Sequence, residues 1–254
     1  MGLTDEQYWE SFWKTVKIPA RLNLALKSER AISDKIVQNI PKVQKDKGIF
    51  EIGCAPGKWL IFFYEELGYL PNGCEFVQSA VQTTIENLKI NGIKENEFEI
   101  IQADFTKLNR NSKYNIVISL GFIEHFLDSE EIFKKHIDFL AEGGFLIIVV
   151  PNFRGINKLI QKQIDKDLEN KILPSHNLNI MEKSVFYKLG EKYNLKCKFC
   201  NYIAGFENSL FCYSAIKSSF KKKCIEFLSG ILSRLFKNTS NRYISGYLLG
   251  IYQK

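Results

Sequence analysis

Between residues 47 and 152 the hydrophobic pattern alternates between two periods. Short apolar runs at 47–53, 73–77, 98–102, 114–120 and 144–150 read as strands, and residues 58–68, 79–91 and 129–141 carry apolar positions at helical spacing. Gly144–Val150 (GFLIIVV) is apolar almost throughout, as a strand covered on both faces of a parallel sheet must be. Strands separated by helices predict βαβ units with right-handed crossovers, and so an α/β, doubly wound, mostly parallel sheet. Beyond Pro151 the rhythm loosens until about 179. A helix at 181–193, a strand at 195–203, a largely helical stretch at 208–237 and a last strand at 247–252 then follow. Seven strands result, the last of them antiparallel.

Ahead of the sheet, residues 5–16 (DEQYWESFWKTV) place Trp9 and Trp13 at i, i+4 on one helical face, with Tyr8 and Phe12 on the adjoining one. Residues 28–40 read as a second helix, with Ser28 as N-cap and Pro41 beyond its end. The expected organisation is a helical lid or cap over 1–45 and an α/β domain over 46–254, with a helical, basic insertion near 208–240.

Composition is that of an ordinary globular chain, 45% hydrophobic and 25% charged over 254 residues. The first residues lack the apolar core of a signal peptide, and no run approaches the roughly 20 apolar residues of a membrane span, so a cytoplasmic location is the expectation. The six cysteines have no disulfide rhythm. Cys197 and Cys200 form a C-x-x-C without a second close pair, which speaks against structural zinc. Charge is more telling. Residues 217–254 hold eight Lys or Arg against Glu226 alone, so the remainder of the chain is neutral within its net +7. Nucleic-acid enzymes carry basic surface around the cleft, and this excess is confined to one segment, so no nucleic-acid partner is expected.

The candidate chemistry lies at the strand ends, where open α/β sheets bind ligands. Residues 49–58 (IFEIGCAPGK) end a strand in small residues, so that backbone can approach a ligand before a helix begins. Glu75 ends the next strand, where a carboxylate can accept both ribose hydroxyls, with Phe76 beside it. Asp104 and Phe105, in Q-A-D-F, end the third, where a carboxylate can take an adenine amino group beside an aromatic face. Carboxylates at two successive strand ends repel phosphate. A dinucleotide glycine frame would also need glycines where Ala55 and Lys58 stand.

The spacing E-x-G-x-A-x-G, then Glu75, then A-D-F, resembles the class I S-adenosylmethionine-dependent methyltransferases and their Rossmann-like fold. The likeness continues in ISLGFIEHF and LAEGGFLIIVVPNF. It implies S-adenosylmethionine as cofactor, with Glu51, Gly53, Cys54, Ala55 and Gly57 around its methionine part. It further implies Glu75 at the ribose, Asp104 at the adenine amino group with Phe105 near the ring, Phe76 among the cofactor-binding residues, and Leu120 with Gly121 beside the sulfonium. The tryptophan pair resembles the N-terminal helix of the thiopurine methyltransferase-like branch, which implies that Trp9 and Trp13 close over the cofactor. In the similar quinone-biosynthesis O-methyltransferases an E-H pair like Glu124–His125 shares a metal with an upstream glutamate. Gly121 stands there instead, so no metal is expected.

His125 and His176 are the candidate catalytic residues, His176 because it lies on the variable stretch where this superfamily builds its acceptor pocket. His136, within FKKHIDFL, reads as a surface residue. No N-P-P-Y-like tetrad follows the fourth strand, which argues against methylation of a nucleobase amine. The expected activity is O-methylation of a small-molecule or glycan-type acceptor, in polysaccharide or secondary-metabolite biosynthesis. Small-molecule S- or N-methylation and a non-catalytic cofactor binder are the alternatives. In segment 218–237, Phe220, Cys224, Phe227 or Leu228, Ile231 and Leu235 recur at helical spacing among lysines. The expected reading is an apolar face that roofs the site or packs on the sheet. Peripheral contact with a membrane is the alternative.

Overall fold

Strands β1 (Gly48–Ile52) and β4 (Tyr114–Leu120) are the hub of the sheet in the computed structural model, which describes residues 2–13 and 16–254. On one flank β1 pairs in parallel with β2 (Leu70–Glu75), and β2 with β3 (Glu99–Gln102). On the other, β4 pairs in parallel with β5 (Leu140–Pro151). The last strand, β7 (Tyr247–Gln253), enters antiparallel between β5 and β6 (Lys196–Ile203). The order β3-β2-β1-β4-β5-β7-β6 is the expected doubly wound, mostly parallel seven-stranded sheet with an antiparallel last strand.

Helices cover both faces because the central strands are apolar on both sides. One layer of core joins Phe50, Ile52, Val117, Leu146 and Ile148 to Phe133 and Phe186; the other joins Ile49, Ile116, Ile118 and Ile147 to Ile36, Trp59 and Leu60. The helices are α1 (Glu6–Trp13), α2 (Lys27–Asn39), α3 (Lys58–Phe62), α4 (Gln78–Ile90), α5 (Ser129–Asp138), α6 (Gly155–Ile164), α7 (Lys183–Lys192) and α8 (Ser219–Leu235). Of the aromatic stretch expected to be helical, residues 14 and 15 lie outside the described residues. Helix α1 buries none of its residues, whereas α2 sinks Ile32 and Ile36 into the core.

The largest departure from expectation is α8. Its inward positions Ile225 and Leu232 do pack on the core. The stripe of Phe220, Phe227, Leu228, Ile231 and Leu235, however, faces solvent rather than roofing the site.

Candidate functional site

The carboxyl ends of β1, β2, β3 and β4 open onto one cavity of about 1060 Å³. That is the upper end of the usual range for small-molecule sites and leaves room for two ligands side by side. Its floor is the turn after β1. Gly53 (φ +68°) and Gly57 (φ +85°) both take the left-handed backbone that non-glycine residues rarely adopt. Gly57 starts α3, and a Cβ there would stand 3.1 Å from Thr84 Cγ2. Of the residues expected around this turn, Glu51, Gly53 and Ala55 line the cavity. Cys54 and Gly57 do not. The Cys54 side chain is fully buried in the core, and Gly57 acts only by shaping the turn.

Three carboxylates converge from this side. Burial pushes the Glu51 carboxyl well above its usual range, against the pull of Lys58, and its Oε2 is buried without a partner. Glu75 Oε1 accepts the N–H groups of Phe76 (2.8 Å) and Val77 (3.2 Å). Burial raises its pKa, and the N–H groups of Val77, Phe76 and Ala55 oppose that rise. Asp104 is different. Its partial burial alone would raise the pKa, but the hydroxyl (2.7 Å) and N–H (2.9 Å) of Thr106 together with Lys107 (3.2 Å) outweigh it, so the carboxylate stays ionised. Phe76 is 37% exposed at the rim, while Phe105 is buried with its ring 5.8 Å from Phe122 and 5.2 Å from His136. An orphaned buried carboxylate, a carboxylate fixed at a strand end and aromatic faces suit a ligand that has an ammonium, vicinal hydroxyls and a flat ring.

His136 corrects the reading that put it on the surface. It is fully buried, with one ring nitrogen 2.7 Å from Ile132 O and the other 2.9 Å from Ser119 Oγ. It follows Lys134 and Lys135 directly in sequence, yet it lies on the face of α5 that carries Ile132 and Phe133.

The opposite wall comes from the turn after β4 and the loop after α6. Leu120 and Gly121 (φ +66°) border the cavity, and a 3-10 turn at Ile123–His125 follows. There the structure brings together residues about fifty positions apart. The rings of His125 and His176 lie 4.5 Å from centroid to centroid. His125 Nδ1 is 2.8 Å from Ser175 O and His176 Nδ1 is 2.7 Å from Ile172 O. These carbonyls accept from protonated Nδ1, which assigns both rings the tautomer with a bare Nε2. Burial lowers the His125 pKa to about 3, helped by His176, and burial lowers that of His176 to about 4. Both are neutral at pH 7. Glu124 is fully buried with neither carboxylate oxygen partnered, and burial raises its pKa to about 8.

Glu124–His125 and His176 each stand out in the sequence, but their meeting does not. No metal is expected there from the sequence, because Gly121 offers no ligand. His176 arrives instead, and donor atoms of Glu124, His125 and His176 all lie within 4.8 Å of one another, a set that could hold a divalent cation.

Helix α1 lies over this junction. Trp9 and Trp13 both line the cavity, and the Trp9 ring stands 4.9 Å from His125, edge to face. Trp9 Nε1 donates to Thr4 Oγ1 (3.1 Å), whereas the buried Trp13 Nε1 has no partner. The segment before α1 is tied to the same turn, because Leu3 N–H donates to His125 O (2.7 Å) and Gly2 bridges to Phe126. Wall residues that sequence reasoning missed include Tyr8, Phe153, Gln161, Phe211 and Tyr247, contributed by five separate elements or loops.

The model of a methyltransferase domain matches residues 24–197 of the chain. Among solved structures, the fold is similar to geranyl diphosphate C-methyltransferase of Streptomyces coelicolor A3(2), solved with Mg2+, geranyl diphosphate and S-adenosyl-L-homocysteine. The two share 11% identity over 87% of this chain and 78% of that one, with a TM-score of 0.58. It is also similar to phosphoethanolamine N-methyltransferase 2 of Haemonchus contortus in complex with S-adenosyl-L-methionine, at 12% identity over 88% of this chain and 52% of that one, with a TM-score of 0.59. The MccD protein gives 15% identity over 87% and 96%, with a TM-score of 0.58. No curated protein matches the sequence significantly. With its strand-end carboxylates, glycine turn and sheet order all in the expected places, the chain belongs to the methyltransferase-domain family and is an S-adenosylmethionine-dependent methyltransferase.

Proposed function

We propose that this enzyme methylates an oxygen of a small-molecule or glycan-type acceptor bound in the cavity against the His125–His176 wall. The observation that carries the reading is the imidazole pair with both Nδ1 atoms tied to main-chain carbonyls. A hydroxyl must lose a proton as it is alkylated, and a bare Nε2 in the cavity wall is a proton acceptor. The cofactor supplies a sulfonium methyl group that is already electrophilic, so the protein's main contribution is alignment.

In this reading the Glu51 carboxylate receives the cofactor's ammonium, whose charge stabilises the ionised form that burial alone disfavours. Glu75, its Oε1 held by the N–H groups of Phe76 and Val77, accepts the ribose hydroxyls. Asp104 accepts the adenine amino group, Phe76 covers the ring from the rim, and Phe105 backs it from the core. Leu120 and Gly121 border the sulfonium, and Trp9 and Trp13 exclude water from above. His176 Nε2 takes the acceptor proton, with His125 beside it. The setting is cytoplasmic, in polysaccharide or secondary-metabolite biosynthesis, with segment 218–237 as the contact to a membrane.

A second reading is favoured by the two unpartnered oxygens of Glu124. Glu124, His125 and His176 would hold a divalent cation, whose chemistry would be to acidify a bound acceptor hydroxyl.

The test is calorimetry with S-adenosylhomocysteine, followed by transfer of a labelled methyl group to a panel of phenols, sugars and amines. Label on oxygen is expected. His176→Ala should cut turnover by about 100-fold or more and leave the S-adenosylhomocysteine affinity unchanged. Label confined to nitrogen or sulfur overturns O-methylation. Cofactor binding without any transfer favours a non-catalytic binder, and a loss of activity on removing divalent cations favours the second reading.

A further inference from the structure

Helix α8 is fixed in place by its inner face and by both ends, yet its outer face is apolar. Ile225, Leu232 and the following Phe236 pack on the core, and Ser229 is buried beside them. Near the N-terminal end, Lys221 Nζ bonds to Asp167 (2.7 Å) and to Gln163 O (2.6 Å) of the α6 region. Near the C-terminal end, Lys27 Nζ of α2 bonds to Ser233 O (2.8 Å) and Oγ (2.6 Å). The helix therefore cannot roll to hide what it shows outside. Phe220 is 79% exposed, Phe227 70%, Leu228 57%, Ile231 38% and Leu235 70%, with exposed Cys224 among them. At 100° per residue these six positions fall within an arc of about 100°, a continuous stripe along the helix.

A stripe of that size on a rigid helix marks a contact surface. Charge decides which kind. Exposed Lys223 and Arg234 border the stripe, and exposed Lys217 and Lys237 continue the basic surface beyond its two ends. The one acid on the helix, Glu226, lies away from the stripe, with Lys222 3.9 Å from it. A second copy of the chain would set the exposed Lys217, Lys223, Arg234 and Lys237 around one stripe against the same cations around the other, so a homodimer through this face works against its own electrostatics. An anionic lipid surface satisfies both features at once, taking the apolar side chains at the acyl boundary and the lysines among headgroups. No helix among the described residues is long and apolar enough to cross a membrane, which leaves α8 lying in the interface plane.

We propose that the Phe220–Leu235 stripe docks this enzyme on an anionic membrane surface. The docking deepens the setting proposed above and rests on it only for the choice of compartment. Helix α8 follows the 208–216 loop, in which Ser209, Leu210, Phe211 and Cys212 wall the cavity, so docking brings the acceptor side of the site close to the lipid–water boundary.

Vesicle flotation tests this without any acceptor. The purified full chain should float with phosphatidylcholine vesicles containing about 30% phosphatidylglycerol at least about tenfold better than with phosphatidylcholine alone, and less well as salt rises. Phe227→Ser/Leu228→Ser/Leu235→Ser should lose that partitioning by at least about tenfold, as should Lys223→Glu/Arg234→Glu, with melting temperature and S-adenosylhomocysteine affinity unchanged. The inference is overturned by no flotation of the wild type at low salt, or by flotation of the triple variant equal to it. A wild-type dimer that the triple variant converts to monomer also overturns it, because a second copy then covers the stripe. Failure of cofactor binding would instead strike the functional reading, and calorimetry on the same samples reports that separately.

Discussion

Replacing Glu124 by glutamine should remove a pH dependence that this one carboxyl builds into the fold. Burial with no partner for either oxygen raises its pKa from 4.5 to about 8. Between those values the native chain holds a proton that the unfolded chain has released. The stability linked to that proton is fully present below pH 4.5 and is lost as pH rises through 8. Each pH unit inside the window is about 1.4 kcal/mol, so the whole window from 4.5 to about 8 amounts to about 5 kcal/mol. Glutamine is neutral at every pH and has no such slope. Melting curves of the wild type and Glu124→Gln from pH 5 to pH 8 should therefore diverge by about 3–4 kcal/mol, or about 6–16 °C in Tm for a chain of this length. His125 and His176 titrate in the opposite sense below their unfolded value of 6.5, and because both proteins share them, the difference isolates Glu124. Parallel Tm–pH curves would refute the reasoning.

Two further outcomes test the cofactor side. Glu75→Ala removes the carboxylate assigned to the ribose hydroxyls. It should weaken S-adenosylhomocysteine binding about 10–100-fold by calorimetry, and unchanged affinity would refute the assignment. Gly57→Ala forces a Cβ into backbone at φ +85° and to 3.1 Å from Thr84 Cγ2. The expected cost is about 1–2 kcal/mol, read as a drop of a few degrees in Tm, and an unchanged Tm would show that the turn has another conformation open to it.

The parallel half of the sheet was legible because each strand is a bounded apolar run, and Glu51, Glu75 and Asp104 were legible because their positions follow from strand ends. Boundaries were less so. Strand β2 begins at Leu70, three residues earlier than its pattern suggests, because it contains Pro71, a residue that argues against an interior strand. The structure resolves the conflict by register: β3 first pairs at Asn72, so Pro71 has β1 on one side and no ladder partner on the other. Helix α6 lies in the stretch beyond Pro151 where the hydrophobic rhythm loosens.

The site's second half was hidden for a different reason. His125 and His176 each carry a local signal, but their contact depends on how the loop after α6 folds back. Asn177 holds it there, its N–H donating to Glu124 O (2.7 Å) and its side chain to Phe126 O (3.1 Å). In α8 both faces carry apolar residues, so spacing alone could not tell which one the core would take.

The position of β7 has a consequence for how the molecule is made. It is the last strand in the chain but an interior strand of the sheet, paired along its whole length with β5 on one side and β6 on the other. Until it inserts, the apolar run Leu146–Val150 presents an open edge, and β6 has no partner. Almost one hundred residues separate the end of β5 from the start of β7, a delay of roughly 5–20 s at ordinary rates of synthesis. During that interval the sheet is two unjoined pieces with sticky margins, the state in which strands pair with the wrong chain. Closing the sheet is thus a late, long-range event. Yield on expression should then depend more on the 247–253 segment than its seven residues of packing would suggest.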